Sequence, residues 1–351
     1  MIRASVQRLE PYTPGEQPKI PNLIKLNTNE NAYPPSPKVA EAIRSFDFAK
    51  LRLYPDPMCV RIREMIAAEH GCKIENVFVG NGSDEVLRLV TAAWVEDGGA
   101  LGYFDPSYSL YPVLAAIRDV QGIAVPLPSA ADFVDSIEKA ALPVIPELFI
   151  IANPNAPTST MFSPSQMRAF CSKYPGVVVV DEAYVAFAGQ DCVELALTLP
   201  NVVISRTVSK AWSLAGVRLG YLIGPADLID AVYKIKDSYN VNYLTQEVVI
   251  AAFSDPAWML ANRAKIIATR DRLATELKVM GWRVADSATN FLWCSPPSPA
   301  TASGVVSLLR SHGIIVRYFP GPVTGNYLRI TIGTDEQTDT LLQVLKQGVH
   351  S

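Results

Sequence analysis

The stretch Val177-Val178-Val179-Val180-Asp181-Glu182-Ala183-Tyr184 decides the fold class. Its four valines form an apolar run without polar alternation, which is typical of a strand covered on both faces. The run Phe149-Ile150-Ile151 has the same character, and a helical pattern at residues 163–173 separates the two. Because short apolar runs alternate with helical patterns, the sequence predicts an α/β domain with a doubly wound, mainly parallel sheet.

The rest of the chain extends this pattern and then changes it. A long helical pattern at residues 257–280 follows the alternating region and predicts a smaller α+β domain. We expect an N-terminal arm at 1–39 that joins the small domain, a large domain at 40–250 and the small domain at 251–351. The arm is rich in Pro and Asn, which predicts an extended segment without packed elements. Further strands are predicted at residues 77–79, 100–104, 202–205, 219–223, 290–294, 314–316 and 328–332.

Composition excludes several classes of protein. The chain of 351 residues is 49% hydrophobic and 19% charged, as in ordinary globular proteins. Its net charge of -3 gives no basic field, so we expect no nucleic-acid and no membrane partner. The five cysteines are scattered, which argues against a metal site or a disulfide framework. The polar N-terminus and the lack of long apolar runs predict a cytoplasmic protein.

Residues Gly80-Asn81-Gly82-Ser83-Asp84-Glu85 follow a predicted strand and open a predicted helix. Glycines before a helix N-terminus let backbone N–H groups converge on an anion, with help from the helix dipole. A dinucleotide fingerprint is excluded, since Glu85 stands where the third glycine belongs. A tight, capped turn is the structural alternative. We favour an anion-binding cup for one phosphate.

Polar residues also follow three other apolar runs. Lys210 comes after the run at 201–204, where an amine can act as nucleophile or base, although a lysine at a strand end can simply be solvated. Asp181 ends its strand on the side where α/β sheets bind ligands, although it can also cap a helix. Asn153 precedes a proline and has an Asx turn as its alternative.

These residues together suit one cofactor, pyridoxal 5′-phosphate. A phosphate-bearing aromatic aldehyde needs an anion cup, an amine for a Schiff base, a carboxylate for its ring nitrogen and polar groups for its phenolic oxygen. The residues that would meet these needs in turn are Gly82, Ser83 and Asp84; Lys210; Asp181; and Asn153 with Tyr184.

The order of these motifs resembles the fold-type I aminotransferases: Asn-Pro, then Asp-x-x-Tyr, then Ser-Lys followed by Arg218. More narrowly, the chain resembles the histidinol-phosphate aminotransferases over nearly its whole length. The segments that carry this likeness are Asn29-Glu30-Asn31, Tyr54-Pro55-Asp56, Gly80 to Glu85, Arg206-Thr207-Val208-Ser209-Lys210 and Leu328-Arg329-Ile330-Thr331-Ile332-Gly333.

The resemblance implies a role for each cofactor residue. Lys210 would hold pyridoxal phosphate as a Schiff base and move the substrate proton, and Asp181 would keep the ring nitrogen protonated. Tyr184 and Asn153 would bind the 3′ oxygen, and Tyr108 would stack on the ring. Tyr54 would reach the cofactor phosphate of a neighbouring subunit, which implies a homodimer with shared active sites. The implied ligands of the cofactor phosphate are Gly82, Ser83, Asp84, Thr207, Ser209 and Arg218.

The resemblance also implies the substrates. Arg329 would grip an anionic group of the substrate, and Arg317 would contact its phosphate, although an arginine at a strand end is often only solvated. Tyr12 of the arm would cover the substrate, and Asn29 is placed with these substrate-binding residues. The implied reaction exchanges an amino group between an amino donor, histidinol phosphate, and a 2-oxo acid, 2-oxoglutarate.

Three alternatives remain open at this level. An aromatic amino-acid aminotransferase and a threonine-phosphate decarboxylase share the same cofactor chemistry and similar arms. A non-catalytic regulatory protein that binds pyridoxal phosphate is the alternative of a different class. The complete set of Lys210, Asp181 and Arg329 argues against it.

Overall fold

The computed structural model describes residues 1–348, so the last three residues of the predicted small domain lie outside the described part. The strands of residues 1–348 are β1 (Ile24–Leu26), β2 (Val77–Gly80), β3 (Ala100–Asp105), β4 (Gln121–Pro126), β5 (Leu148–Ala152), β6 (Val177–Asp181), β7 (Val202–Thr207), β8 (Gly220–Ile223), β9 (Arg283–Val284), β10 (Phe291–Ser295), β11 (Ile314–Tyr318) and β12 (Leu328–Thr331).

The α-helices of the same residues connect and cover these strands. They are α1 (Ala4–Arg8), α2 (Pro37–Arg44), α3 (Val60–His70), α4 (Ser83–Trp94), α5 (Leu110–Arg118), α6 (Ser136–Ala140), α7 (Pro164–Lys173), α8 (Val193–Thr198), α9 (Ala226–Ile235), α10 (Tyr243–Phe253), α11 (Pro256–Val279), α12 (Ala302–Ser311) and α13 (Asp335–Gly348). No helix in this part of the chain is long and apolar enough to cross a membrane.

The larger sheet has seven strands in the order β2-β8-β7-β6-β5-β3-β4. Neighbours from β7 to β4 run parallel, and β8 is antiparallel to both β2 and β7. Every residue of β5 is buried, as its continuous apolar sequence predicts for a strand covered on both faces. The predicted α/β class with a mainly parallel sheet is confirmed.

The smaller sheet has five strands in the order β1-β11-β12-β10-β9. Its first strand comes from the N-terminal arm and runs parallel to β11, with Leu26 opposite Val316. The expectation of an arm without packed elements is therefore wrong for Ile24–Leu26. This three-residue segment pairs with the edge of a sheet formed almost 300 residues later, and its last residue, Leu26, is buried.

The membership of the hydrophobic cores suggests where the chain divides. The core under the large sheet includes Val249 and Phe253 of α10, whereas Ile266 of α11 belongs to the core of the small sheet. We propose that the second unit begins between these helices, after Phe253, a few residues beyond the boundary expected from sequence.

The register of the large sheet brings three strand ends together. Ala152 at the end of β5 lies opposite Asp181 at the end of β6, which in turn lies opposite Ser205 of β7. The residues that follow these strands therefore share one edge of the sheet, where open α/β sheets bind their ligands.

Candidate active site

A cleft lies between that edge of the large sheet and strands β11 and β12 of the small sheet. Its empty volume, with the open mouth included, is about 1170 Å³, more than one small ligand needs. Most of the predicted site residues line it: Tyr12, Ser83, Asp84, Tyr108, Asp181, Tyr184, Thr207, Ser209, Lys210, Arg218, Arg317 and Arg329.

Lys210 presents its amine to the middle of this cleft. The residue follows β7, and its Nζ donates to the backbone oxygen of Thr28 at 3.3 Å. The same Nζ lies 5.7 Å from the centre of the Tyr184 ring. Within residues 1–348 it forms no ion pair with a carboxylate, so the amine is available to a ligand in the cleft.

Asp181 forms the floor of the cleft. It is only 5% exposed, and its two oxygens accept hydrogen bonds from different donors. The backbone N–H of Ala183 donates to Oδ1 at 3.2 Å, and the hydroxyl of Tyr111 donates to Oδ2 at 2.9 Å. Burial raises the pKa of Asp181 to about 6. A fixed, buried carboxylate of this kind suits a cationic ring nitrogen.

One end of the cleft has the geometry of the predicted anion cup. Gly82 has φ +85 and precedes α4, and a Cβ on it would lie 2.6 Å from Nη2 of Arg218. The guanidinium thus occupies space that only glycine leaves free. Arg218 also pairs with the carboxylate of Asp84 at 3.3 Å, so the Asp84 side chain faces the cation and cannot itself bind an anion.

Two hydroxyls complete the cup. The hydroxyl of Thr207 donates to Oγ of Ser209 at 2.9 Å, and Nη1 of Arg218 approaches the same oxygen at 3.5 Å. A helix N-terminus, two hydroxyls and a guanidinium therefore converge on one volume, which is the donor set that a phosphate monoester requires.

Aromatic side chains form the walls near the floor. Tyr108 packs edge-on against Tyr12 and Tyr111, with ring centres 5.8 and 5.7 Å apart, and its hydroxyl donates to Asp84 at 3.3 Å. Tyr184 accepts a hydrogen bond from Nδ2 of Asn29 at 2.9 Å. Tyr108, predicted to stack on the ring, and Tyr184, predicted to bind the 3′ oxygen, therefore both line the cleft.

Asn153 does not lie where the sequence predicts. Its amide nitrogen donates to the backbone oxygen of Phe162 at 3.0 Å, and its amide oxygen accepts from the Phe162 N–H at 2.8 Å. The side chain is buried and does not line the cleft. The expected contact with the cofactor's 3′ oxygen is therefore corrected: Asn153 closes a turn, because both ends of its amide already have backbone partners.

Asn29 also differs from its predicted role. It is 1% exposed, and its amide is used by Tyr184 and by the hydroxyl of Thr331, which donates to it at 2.9 Å. It does not line the cleft, so the structure corrects its assignment to the substrate. The side chain instead ties the arm to β12 and holds Tyr184.

Tyr54 lies outside the cleft of its own chain. It is 77% exposed and stacks on Tyr239 with ring centres 4.3 Å apart. Its expected contact with the cofactor of a neighbouring subunit remains a prediction.

Arg317 and Arg329 stand side by side on the opposite wall, because they are directly paired across β11 and β12. Arg329 lies over the rings of Phe291 and Phe319, at 5.4 and 5.3 Å from their centres. Arg317 lies 5.2 Å from the centre of the Phe319 ring. Among residues 1–348, the hydrogen-bond acceptors of these arginines are backbone oxygens, of Thr13 for Arg317 and of Asn27 for Arg329, and the buried Nε of Arg329 has no partner.

Sequence reasoning missed three side chains of this site. Tyr111 follows Tyr108 by three residues, which is the spacing of one helical face, and this was the available signal. Phe319 follows Arg317 by two residues, the spacing of one strand face. For Phe291 no local signal exists, since it contacts Arg329 only through strand pairing.

The residues of this cleft fit pyridoxal phosphate. The cup can accept a phosphate, Asp181 can hold the ring nitrogen, and the Lys210 amine lines the same cleft as these groups and the two arginines. Tyr184 lines the cleft, so its hydroxyl would be available to the 3′ oxygen, whereas Asn153 does not line it.

Comparison with known proteins agrees with this geometry. A sequence model of the family "aminotransferase class I and II" matches residues 21–345. Histidinol-phosphate aminotransferase 2 of Burkholderia mallei is 41% identical over 353 residues, which cover 97% of each chain. Histidinol-phosphate aminotransferase 1 of Bradyrhizobium diazoefficiens is 42% identical, again over 97% of each chain.

Solved structures show the same fold. The histidinol-phosphate aminotransferase of Sinorhizobium meliloti, in complex with pyridoxal-5′-phosphate, superimposes with a TM-score of 0.84 at 25% identity. The match covers 93% of this chain and 91% of that chain. The chain therefore belongs to the class I and II aminotransferases, within the histidinol-phosphate aminotransferase family, and is a pyridoxal-phosphate-dependent enzyme.

Proposed function

We propose that the enzyme transfers the amino group of histidinol phosphate to 2-oxoglutarate. The observation that carries this proposal is the pair Arg317 and Arg329, two guanidiniums that face the cleft without a carboxylate partner in residues 1–348. Two adjacent cations suit a phosphate dianion better than they suit a single carboxylate. The names of the similar proteins from Burkholderia and Bradyrhizobium support the same substrate.

We further propose how the residues divide the work. Bound pyridoxal phosphate supplies an aldehyde that takes up the amino group and a ring that accepts electrons from the substrate's Cα–H bond. The Nζ of Lys210 would remove the substrate's Cα proton and deliver it to C4′, the cofactor carbon that carried the aldehyde, so that the amino group leaves the substrate. Asp181 fixes the ring nitrogen, and the hydroxyl of Tyr184 binds the 3′ oxygen. The cup anchors the cofactor phosphate through Ser83, Thr207, Ser209 and Arg218.

The residues on the small-domain side of the cleft would hold the substrate with its amine facing Lys210. Arg329 and Arg317 bind the substrate phosphate, and Tyr12 covers it from the arm. Once these residues close over the substrate, water is excluded from the proton transfer at Cα, which strengthens each charged contact in the cleft.

A half-reaction panel tests the substrate. Histidinol phosphate, tyrosine, phenylalanine and threonine phosphate are each added to the purified holoenzyme without a 2-oxo acid. We expect histidinol phosphate to convert the cofactor to its amino form at the lowest concentration. The conversion is measured as the loss of absorbance of the aldehyde form. A preference for tyrosine would overturn the substrate and keep the class. Carbon dioxide release from threonine phosphate would indicate a decarboxylase.

We also propose a homodimer with shared active sites. The segment around Tyr54 carries a patch of exposed apolar side chains, and patches of this kind mark interfaces. In addition, Tyr54 has no contact with the cleft of its own chain. The patch consists of Phe48, Leu51, Leu53, Tyr54 and Met58, which are 38–77% exposed.

Mixing two inactive variants tests the shared site. Tyr54→Ala and Lys210→Ala chains are unfolded together and refolded. Half of the dimers then combine both chains, and one of their two sites has both residues, so activity should reach about a quarter of the wild-type value. Activity no greater than the mean of the separately refolded variants would contradict the proposal.

The five cysteines support a cytoplasmic location. All five are free thiols in the structure, and thiols remain reduced in that compartment.

A further inference from the structure

Tyr111 lies beneath the cleft and contacts Asp181. It is the second residue of α5 and has 0% exposure. Its hydroxyl donates to Oδ2 of Asp181 at 2.9 Å, while the Ala183 N–H holds Oδ1 from the other side. The carboxylate is therefore fixed by one donor on each oxygen, and the Tyr111 bond is the only one of the two that a side-chain substitution can remove.

The tyrosine is itself held in place. Its ring packs against Tyr108 at 5.7 Å with an interplanar angle of 88°, and against Tyr103 at 6.3 Å. It belongs to the hydrophobic core on the α4 and α5 side of the large sheet. Because the ring cannot swing away, the hydroxyl stays directed at Asp181.

The hydroxyl of Tyr111 stays protonated. Burial, together with the neighbouring carboxylate of Asp181, keeps the pKa of Tyr111 well above its usual value, so the group remains a donor. For Asp181, burial raises the pKa, while the hydrogen bond from Tyr111 lowers it. The other charged groups that act on Asp181 are Asp84, which raises its pKa, and Lys210, which lowers it.

We propose that Tyr111 is a positioning residue that acts through Asp181: its hydroxyl keeps this carboxylate oriented and ionised toward the pyridine nitrogen of the bound cofactor. The inference rests on the proposed role of Asp181 and is independent of which amine is the substrate. Without the phenol, the carboxylate loses its Oδ2 donor and turns more easily. It also takes up a proton at a higher pH, after which it pairs less well with a cationic ring.

Cofactor affinity across a range of pH tests this role. Tyr111→Phe, Tyr103→Phe and wild type are stripped of cofactor and titrated with pyridoxal phosphate, with the free cofactor measured by ultrafiltration. For Tyr111→Phe we expect Kd to rise about three- to tenfold near neutral pH, the size of a typical net hydrogen bond. The pH below which binding weakens should move upward. Tyr103→Phe removes the hydroxyl of a neighbouring tyrosine that forms no hydrogen bond with Asp181, and it should leave both values unchanged.

Two further variants of the enzyme distinguish a wrong role for Tyr111 from a wrong role for Asp181. An Asp181→Asn variant that binds the cofactor like wild type would overturn the proposed role of Asp181 itself. If Asp181→Asn weakens binding and Tyr111→Phe leaves Kd and its pH dependence unchanged, the role of Tyr111 is wrong and that of Asp181 stands. Should Tyr111→Phe fold poorly, 3-fluorotyrosine at position 111 keeps the ring and makes the phenol a stronger donor. The pH midpoint should then move downward, and an upward or absent shift would overturn the proposal.

Discussion

The charged side chains on the two walls of the cleft differ in their partners. On the large-domain wall, Arg218 pairs with Asp84 at 3.3 Å, and the carboxylate of Asp181 has a donor on each oxygen. On the small-domain wall, Arg317 and Arg329 face the cleft with aromatic rings and backbone oxygens around them, and no carboxylate of residues 1–348 pairs with either.

This difference indicates what each wall is built for. On the large-domain wall, which we call the cofactor wall, Arg218 and Asp181 already have partners within the protein, so the cofactor is held by many contacts that each contribute modestly. On the small-domain wall, which we call the substrate wall, Arg317 and Arg329 are partly buried and have no carboxylate partner in residues 1–348, and burial lowers the pKa of Arg329. Buried charge without a partner is costly, so an anionic substrate that pairs with it gains much of its binding there. Substitutions on the two walls should therefore differ in size.

The largest loss of transamination rate is expected for substitution of Lys210. Lys210→Ala removes the amine that moves the Cα proton, and proton transfer of this kind contributes about 10²- to 10⁴-fold to the rate. Both half-reactions should slow by at least this factor in stopped-flow absorbance. Because the cup and Asp181 are intact, the variant should still bind pyridoxal phosphate. Transamination within tenfold of wild type would contradict the proposed mechanism.

The next largest effect belongs to the substrate wall. Arg329→Gln keeps a polar side chain but removes the buried charge, and losing one partner of a buried charged pair costs about 2–5 kcal/mol. The kcat/KM for histidinol phosphate should fall by roughly 30-fold or more.

The same change at Arg283 is the matched control. Arg283 lies in the same sheet, is exposed and does not line the cleft, so Arg283→Gln should leave kcat/KM unchanged. A similar loss in both variants would mean that the effect comes from the stability of the sheet.

A smaller effect is expected at Phe319, whose ring contacts both arginines of the substrate wall. Phe319→Ala removes the ring beneath Arg317 and Arg329, and a cation–π contact contributes about 0.5–2 kcal/mol. We expect KM for histidinol phosphate to rise about three- to tenfold with little change in kcat. Phe319→Tyr keeps the ring face and should behave as wild type. If Phe319→Ala lowers kcat and leaves KM unchanged, the ring does not act through substrate binding.

The smallest effect is predicted on the cofactor wall. Asp84→Asn removes the carboxylate beside Arg218 from an ion pair whose side chains are 44% and 51% exposed. Pairs this exposed contribute about 0.2–1 kcal/mol, so cofactor Kd should change less than about fivefold. The change should be toward tighter binding, since a negative charge near the phosphate is lost. A loss of more than tenfold would show that the cofactor wall depends on single charges as the substrate wall does.

Much of the site could be read from single segments. Strand ends that carry Asp181 and Lys210, and the turn at Gly82, have local signatures of sequence and spacing. Asn153 and Asn29 were misassigned because an amide has no preferred partner in the sequence. One amide is taken by the nearby backbone of Phe162, and the other by Thr331, which is 302 residues away.

The sequence by itself determined the α/β class, the cofactor and the residues that carry charge into the site. Only the tertiary structure decided which groups are already paired. Within residues 1–348, it joined Tyr111 to Asp181, placed Arg329 over two rings and left the Nε of Arg329 without a hydrogen-bond partner. The reason is physical: strand ends and glycine turns depend on local backbone preferences. The neutralisation of a buried charge depends on side chains that long-range packing brings together.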